Sequence, residues 1–111
     1  MHEVSIMMSI LDTALEEAKK ANAEKIMTIS LLIGAKSGVV VDSLEFAFEM
    51  VTRNTIAEHA KLDIELVPFR GECLSCGEQF ESEDFLICDK CGSFGKLISG
   101  QELNIKSIEV E

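Results

Sequence analysis

Tryptophan and tyrosine are absent from this chain, proline occurs once, and histidine only twice. With six Phe as its entire aromatic complement and 47% hydrophobic residues, the chain predicts a compact aliphatic core rather than disorder. Its 111 residues suffice for one domain, or one small domain with an appended lobe, but not for two complete cores. No apolar run approaches the ~20 residues that span a bilayer, and the start has neither a basic n-region nor a signal-type apolar stretch. A cytoplasmic location is expected.

Positive charge is also scarce. Ten Lys and Arg stand against 20 Asp and Glu, a net charge of −10. Proteins that bind phosphate backbones neutralise them with basic side chains, so nucleic acid is not an expected partner. The acidity favours encounter with cations or a basic protein surface.

What the chain does have is pattern. Val4, Met7, Met8, Leu11, Ala14, Leu15 and Ala18 recur at helical spacing between charged residues, which predicts a helix over 4–21. "IMTISLLI" at 26–33 is aliphatic and partly β-branched, and reads as a strand with Met27, Ile29, Leu31 and Ile33 on its buried face. "DSLEFAFEMV" follows as a helix into the mid-fifties, with Asp42 expected at the N-cap and Glu45 three residues on as in a capping box. "LDIELV" at 62–67 alternates and stops at Pro68. The final strand, 102–110, slips phase between Ile105 and Ile108, as a bulge near Ser107 would cause. Pairing of 62–67 with 102–110 would make the segment between them an enlarged hairpin tip.

The expected fold is α+β: two helices packed on a three-stranded sheet, with a zinc-ribbon-like lobe inserted before the last strand. Residues 1–69 plus 100–111 would form the α/β domain and 70–99 the lobe.

"CLSCG" at 73–77 and "CDKCG" at 88–92 give two CxxC pairs separated by eleven residues, each followed by glycine. Thiols in the cytoplasm stay reduced, so this spacing points to metal rather than disulfides. Each CxxC turn brings two sulfurs to adjacent corners of a tetrahedron, and Gly77 and Gly92 suit the φ > 0 turn that aims N–H groups at them. Cys73, Cys76, Cys88 and Cys91 are therefore the expected Zn(II) ligands. All four positions are filled, so this metal is structural. An iron-binding, rubredoxin-like electron carrier has the same ligands, although the missing Tyr and Trp and the larger α/β body speak against it. An acidic zinc-ribbon adaptor with no second metal is the other alternative.

The other histidine, His59, sits beside Glu58 and Lys61 and is expected to be solvated, whereas His2 adjoins the amino terminus. There the amine of Met1, the deprotonated amide nitrogen of His2 and its imidazole Nδ1 can chelate one metal through fused rings. Such nitrogen coordination suits Ni(II) or Cu(II). A fourth donor could be the Glu3 amide or a carboxylate supplied by the fold.

Together, "MHEVSIMMSILDTALEEA", "LLIGAKSGVVVDSLEFAFE", the two cysteine pairs and "GQELNIKSIEVE" resemble the HypA/HybF family of hydrogenase maturation factors over essentially the whole chain. The resemblance implies a nickel metallochaperone, not an enzyme, that supplies Ni(II) to the precursor of the NiFe-hydrogenase large subunit together with the GTPase HypB. It places the nickel motif at Met1, His2 and Glu3, adds Asp42 as a candidate ligand, and assigns zinc to Cys73, Cys76, Cys88 and Cys91.

Overall fold

A computed structural model describes residues 3–111. In chain order the elements are α1 (Glu3–Lys20), β1 (Ile26–Gly34), α2 (Val41–Val51), β2 (Lys61–Val67), β3 (Arg70–Cys73), β4 (Gln79–Glu81), β5 (Gly95–Ser99) and β6 (Leu103–Val110). The architecture is α+β, with two helices and a three-stranded sheet ordered β2-β1-β6, and a second three-stranded sheet, β4-β3-β5, inserted ahead of β6. The chain forms two compact units. One comprises the chain up to Leu32 with Val39–Glu65 and Asn104–Glu111; the other comprises Ile33–Gly38 and Leu66–Leu103.

In the first unit, α1 buries Met7, Ile10, Leu11, Ala14 and Ala18, steps of three and four that keep one stripe inward. That stripe is narrower than the sequence pattern. Val4 and Met8 are exposed, while Ile10 joins the core. Glu3 in the first turn and Lys19 and Lys20 in the last complement the helix dipole. The helix stops in a Schellman motif: Asn22 adopts a left-handed φ of 55°, Ala23 N–H bonds Ala18 O, and Asn22 N–H bonds Lys19 O.

Helix α2 begins without the anticipated cap. Val40 occupies the N-cap with no side-chain hydrogen bond, and Asp42 lies inside the first turn, exposed. The capping box therefore does not form. Leu44, Ala47 and Phe48 are buried as expected. The helix ends at Val51, short of the mid-fifties, because the buried Thr52 turns its hydroxyl back onto Phe48 O at 2.7 Å and turns with left-handed Asn54 and His59 follow. His59 is exposed.

Strand β1 takes the centre of its sheet, so the strands at 62–67 and 102–110 do not pair with each other. Its composition fits this place, with Ile29, Leu31 and Ile33 turned to the core and Thr28, Ser30 and Leu32 between them half-buried. Ile26, Ile29, Leu31 and Ile33 are buried, but Met27 is exposed, so the inward alternation runs only from Ile29. At one end, Glu111 N–H bonds Lys25 O, and at the other Gly34 N–H bonds Glu102 O, which sets β6 antiparallel to β1. Ala35 N–H bonds Val67 O where both chains leave the sheet, the sense of a parallel β1–β2 pair joined across α2.

In the second unit, β3 pairs antiparallel with both β4 and β5. Its small core is Cys73, Phe80 and Cys88, with Leu86 packed against it. A Cβ added at Gly71 would stand 2.8 Å from Leu86 Cδ2, and one at Gly95 2.8 Å from Phe80 Cζ, so Leu86 and the Phe80 ring occupy the space those two side chains would need.

Candidate metal centre

Strand β3 delivers Cys73 at its last residue, and the turn after it carries Cys76. Cys88 adjoins the bridge between Ile87 and Phe94, and Cys91 lies in the following turn. The two turns are built alike. Gly77 N–H bonds Cys73 O at 3.1 Å with φ of 75°, and Gly92 N–H bonds Cys88 O at 3.0 Å with φ of 72°. Cys73 N–H bonds Glu78 O, and Cys88 N–H bonds Ser93 O. In each pair the first cysteine is buried and the second exposed.

The four sulfurs lie within 4.8 Å of one another. Cys73 and Cys91 Sγ are 3.3 Å apart, Cys76 and Cys88 3.7 Å, and Cys91 and Cys76 3.9 Å. Metal–sulfur bonds of ~2.3 Å in a tetrahedron require sulfur separations of about 3.8 Å, so one zinc-sized ion fits among these atoms. No disulfide competes, as all four thiols are free. The backbone N–H groups of Ser75 and Cys76 both point at Cys73 Sγ, at 3.4 Å, the donors that offset negative charge on a ligating thiolate.

Unequal surroundings pull the thiols apart. The backbone N–H and hydroxyl of Ser93, with the Cys73 thiol, bring Cys91 down to about 6. At Cys76 the Glu78 backbone pulls downward, but the Cys73 thiol, burial and the thiols of Cys88 and Cys91 push it up to about 11. A divalent cation resolves this crowding by stabilising four thiolates at once. Ser75 and Ser93, whose hydroxyls are 3.0 Å apart, link the two turns. Neither belongs to the CxxC pattern, and the sequence marks them only by one serine in or beside each knuckle.

The other predicted site residues are less gathered. Met1 and His2 lie outside the described residues. Glu3 opens α1 and its Oε2 accepts a hydrogen bond of 3.3 Å from Val40 N–H, just ahead of the α2 turn that holds Asp42. Among the described residues, only the four cysteines form a group of three or more His, Cys, Asp or Glu close enough to share a metal.

The model of the family described as hydrogenase/urease nickel incorporation, metallochaperone, hypA matches residues 1–110. The chain belongs to the HypA family. The hydrogenase maturation factor HypA of Geobacter metallireducens is 44% identical over the whole of both chains, and that of Caldanaerobacter subterraneus subsp. tengcongensis is 39% identical, again over both. The solution structure of the Ni metallochaperone HypA from Helicobacter pylori is similar with a TM-score of 0.70 and 29% identity, covering 99% of this chain and 97% of that one. A second HypA solution structure gives a TM-score of 0.75 at 30% identity, covering 100% and 97%. The HypA fold thus extends over both units, and its four-cysteine metal-binding cluster has geometry consistent with zinc. No helix among the described residues is long and apolar enough to cross a membrane.

Proposed function

We propose that this protein binds Ni(II) at its amino terminus and delivers it during maturation of NiFe hydrogenase, while Zn(II) held by Cys73, Cys76, Cys88 and Cys91 shapes residues 70–99. The family match over residues 1–110 carries the reading, since it joins the "MHE" start and both cysteine pairs in one pattern. The amine of Met1, the amide and imidazole Nδ1 of His2, and a donor from Glu3 form the nickel set, with Asp42 as a further candidate. Residues 1–69 plus 100–111 make up the nickel domain.

The work is binding and transfer, not catalysis. A terminal chelate can exchange its ligands one at a time, which lets an acceptor take the ion without unfolding the donor. A closed tetrathiolate site has no open position and keeps its ion. Copper(II) outranks nickel(II) in intrinsic affinity for such donors, so selectivity is set by metal availability in the cytoplasm and by the partners. Those partners are the GTPase HypB and the precursor of the hydrogenase large subunit. The net charge of −10 leaves nucleic acid no role.

The test is metal analysis and equilibrium Ni(II) titration of purified, untagged protein. Colourless protein with one zinc that binds one added nickel supports the assignment. A red iron protein would indicate an electron carrier, and a zinc protein without nickel affinity an adaptor.

A further inference from the structure

The cysteine lobe is amphipathic in a way its metal does not require. Cys73 pairs with Gly95 across β3 and β5, and Leu74 N–H extends that ladder one step by bonding Phe94 O at 3.1 Å. On its other side Phe94 pairs with Ile87 in an antiparallel bridge. Residues directly opposite in antiparallel strands share a face. Leu74, Phe94 and Ile87 therefore stand in one row across three chain segments. Cys73, Gly95 and Cys88, each one residue away, point to the opposite face with the small core.

The row is open to solvent. Leu74 is 68% exposed, Phe94 73% and Ile87 44%, and Phe85, two residues before Ile87, is 74% exposed. Two residues back on the same face, Glu72 and Lys96 form an ion pair of 3.3 Å. An apolar strip of this kind, rimmed by polar residues, marks an interaction site.

We propose that the row Leu74–Phe94–Ile87 docks a segment of a partner protein that presents apolar side chains flanked by Lys or Arg. Charge selects this occupant. Residues 70–99 carry Glu72, Glu78, Glu81, Glu83, Asp84 and Asp89 against Arg70, Lys90 and Lys96, and four thiolates outweigh one divalent ion by two charges. Anionic membranes and nucleic acid are repelled, and a second copy of a chain of net charge −10 is disfavoured. A basic, apolar segment gains from both features: burial of the row holds it, and the lobe's field steers it in. The docking needs no nickel and does not depend on the terminal chelate.

Zinc-loaded, isotope-labelled protein titrated with a synthetic peptide of alternating Leu and Lys tests this, with a Leu/Glu peptide and anionic phosphatidylglycerol vesicles in parallel. The Leu/Lys peptide should shift the amide resonances of residues 72–74, 85–87 and 94–96. Phe94→Ser and Leu74→Ser should each weaken its binding roughly tenfold or more, as for the central anchor of an interface. Retained zinc and dispersed resonances certify each variant. Should Phe94→Ser lose its zinc, Leu74→Ser and Ile87→Ser carry the comparison. Equal binding of the Leu/Glu peptide, binding that neither substitution weakens, vesicle binding through the row, or a concentration-dependent dimer abolished by Leu74→Ser would each overturn the proposal.

Discussion

Glu3 and Val40 are 37 positions apart in the chain, yet the Glu3 carboxylate accepts a 3.3 Å hydrogen bond from the Val40 backbone N–H. The first residue of α1 thereby satisfies a donor at the N-cap of α2, where no side-chain cap is present. The helix packed beside α2 supplies from its own start what the local sequence lacks.

This relationship separates two roles for Glu3. Glu3→Ala should cost about 0.5–1.5 kcal/mol in urea denaturation, the usual worth of one hydrogen bond, whereas Glu3→Gln keeps an acceptor and should cost less. If Glu3→Gln folds normally but loses nickel, the carboxylate itself serves the metal. Unchanged nickel affinity in that variant would restrict Glu3 to holding α2, with at most a backbone donor for nickel.

The terminal chelate makes its own prediction. His2→Ala, or any extension ahead of Met1, should greatly weaken Ni(II) binding in isothermal titration and leave the circular dichroism spectrum unchanged. In the proposed chelate the free amine and the imidazole would act together, while the fully buried residues of α1 begin only at Met7. An extended protein that binds nickel as tightly as the native one would exclude the amine as a ligand.

Zinc should be indispensable to the lobe. Structural zinc in small domains is worth ~10–16 kcal/mol at neutral pH, far beyond what the core of Cys73, Phe80 and Cys88 with Leu86 can supply. Cys91→Ser should therefore lose the ion and collapse the amide dispersion of residues 70–99, with the α1 and β1 resonances preserved. A zinc-free lobe with native dispersion would contradict this.

Packing around Phe80 offers a check that leaves every ligand in place. A Cβ on Gly95 would stand 2.8 Å from Phe80 Cζ and 3.1 Å from Glu72 O. Gly95→Ala should destabilise the zinc-loaded lobe by about 1–3 kcal/mol, the typical cost of overpacking. Hydrogen exchange of the β3 and β5 amides reads this directly, and unchanged protection would mean the ring swings aside freely.

Nickel should leave before zinc on acidification. Reference pKa values of ~7.7–8.0 for an α-amine and ~6.5 for histidine mean that protons compete for both donors near neutrality. In the proposed chelate, binding at the His2 amide would displace a further proton, so affinity should fall steeply between about pH 7 and 6. The closed tetrathiolate, backed by the Ser75 and Cys76 N–H groups, should hold its ion to lower pH. Metal analysis after desalting between pH 8 and 5 tests the order. Nickel retained as long as zinc would point to carboxylate ligands instead.

Local pattern was enough to read much of this molecule. The 3.6-residue stripe of α1, the aliphatic run of β1 and the two CxxC-Gly turns depend on neighbours a few positions apart, and each formed where its residues predicted. Gly77 and Gly92 adopt the positive φ their turns need. Other features depended on partners distant in the chain. Asp42 fits an N-cap by its local context, but the helix opens ahead of it, with Leu44 N–H bonding Val40 O, and the N–H at the actual N-cap, Val40, is met by Glu3 from α1. Met27 fits the alternation of β1 yet is exposed, because burial depends on what covers a strand position. Strand order was equally illegible: β2 and β6 each carry their own alternation, and only the central position taken by the largely aliphatic β1 separated them. The same holds for the outer row of the lobe. Leu74, Ile87 and Phe94 are scattered apolar residues in the sequence, and only antiparallel register aligns them on one face, because lateral neighbours in a sheet are set by hydrogen bonding between strands rather than by spacing along one.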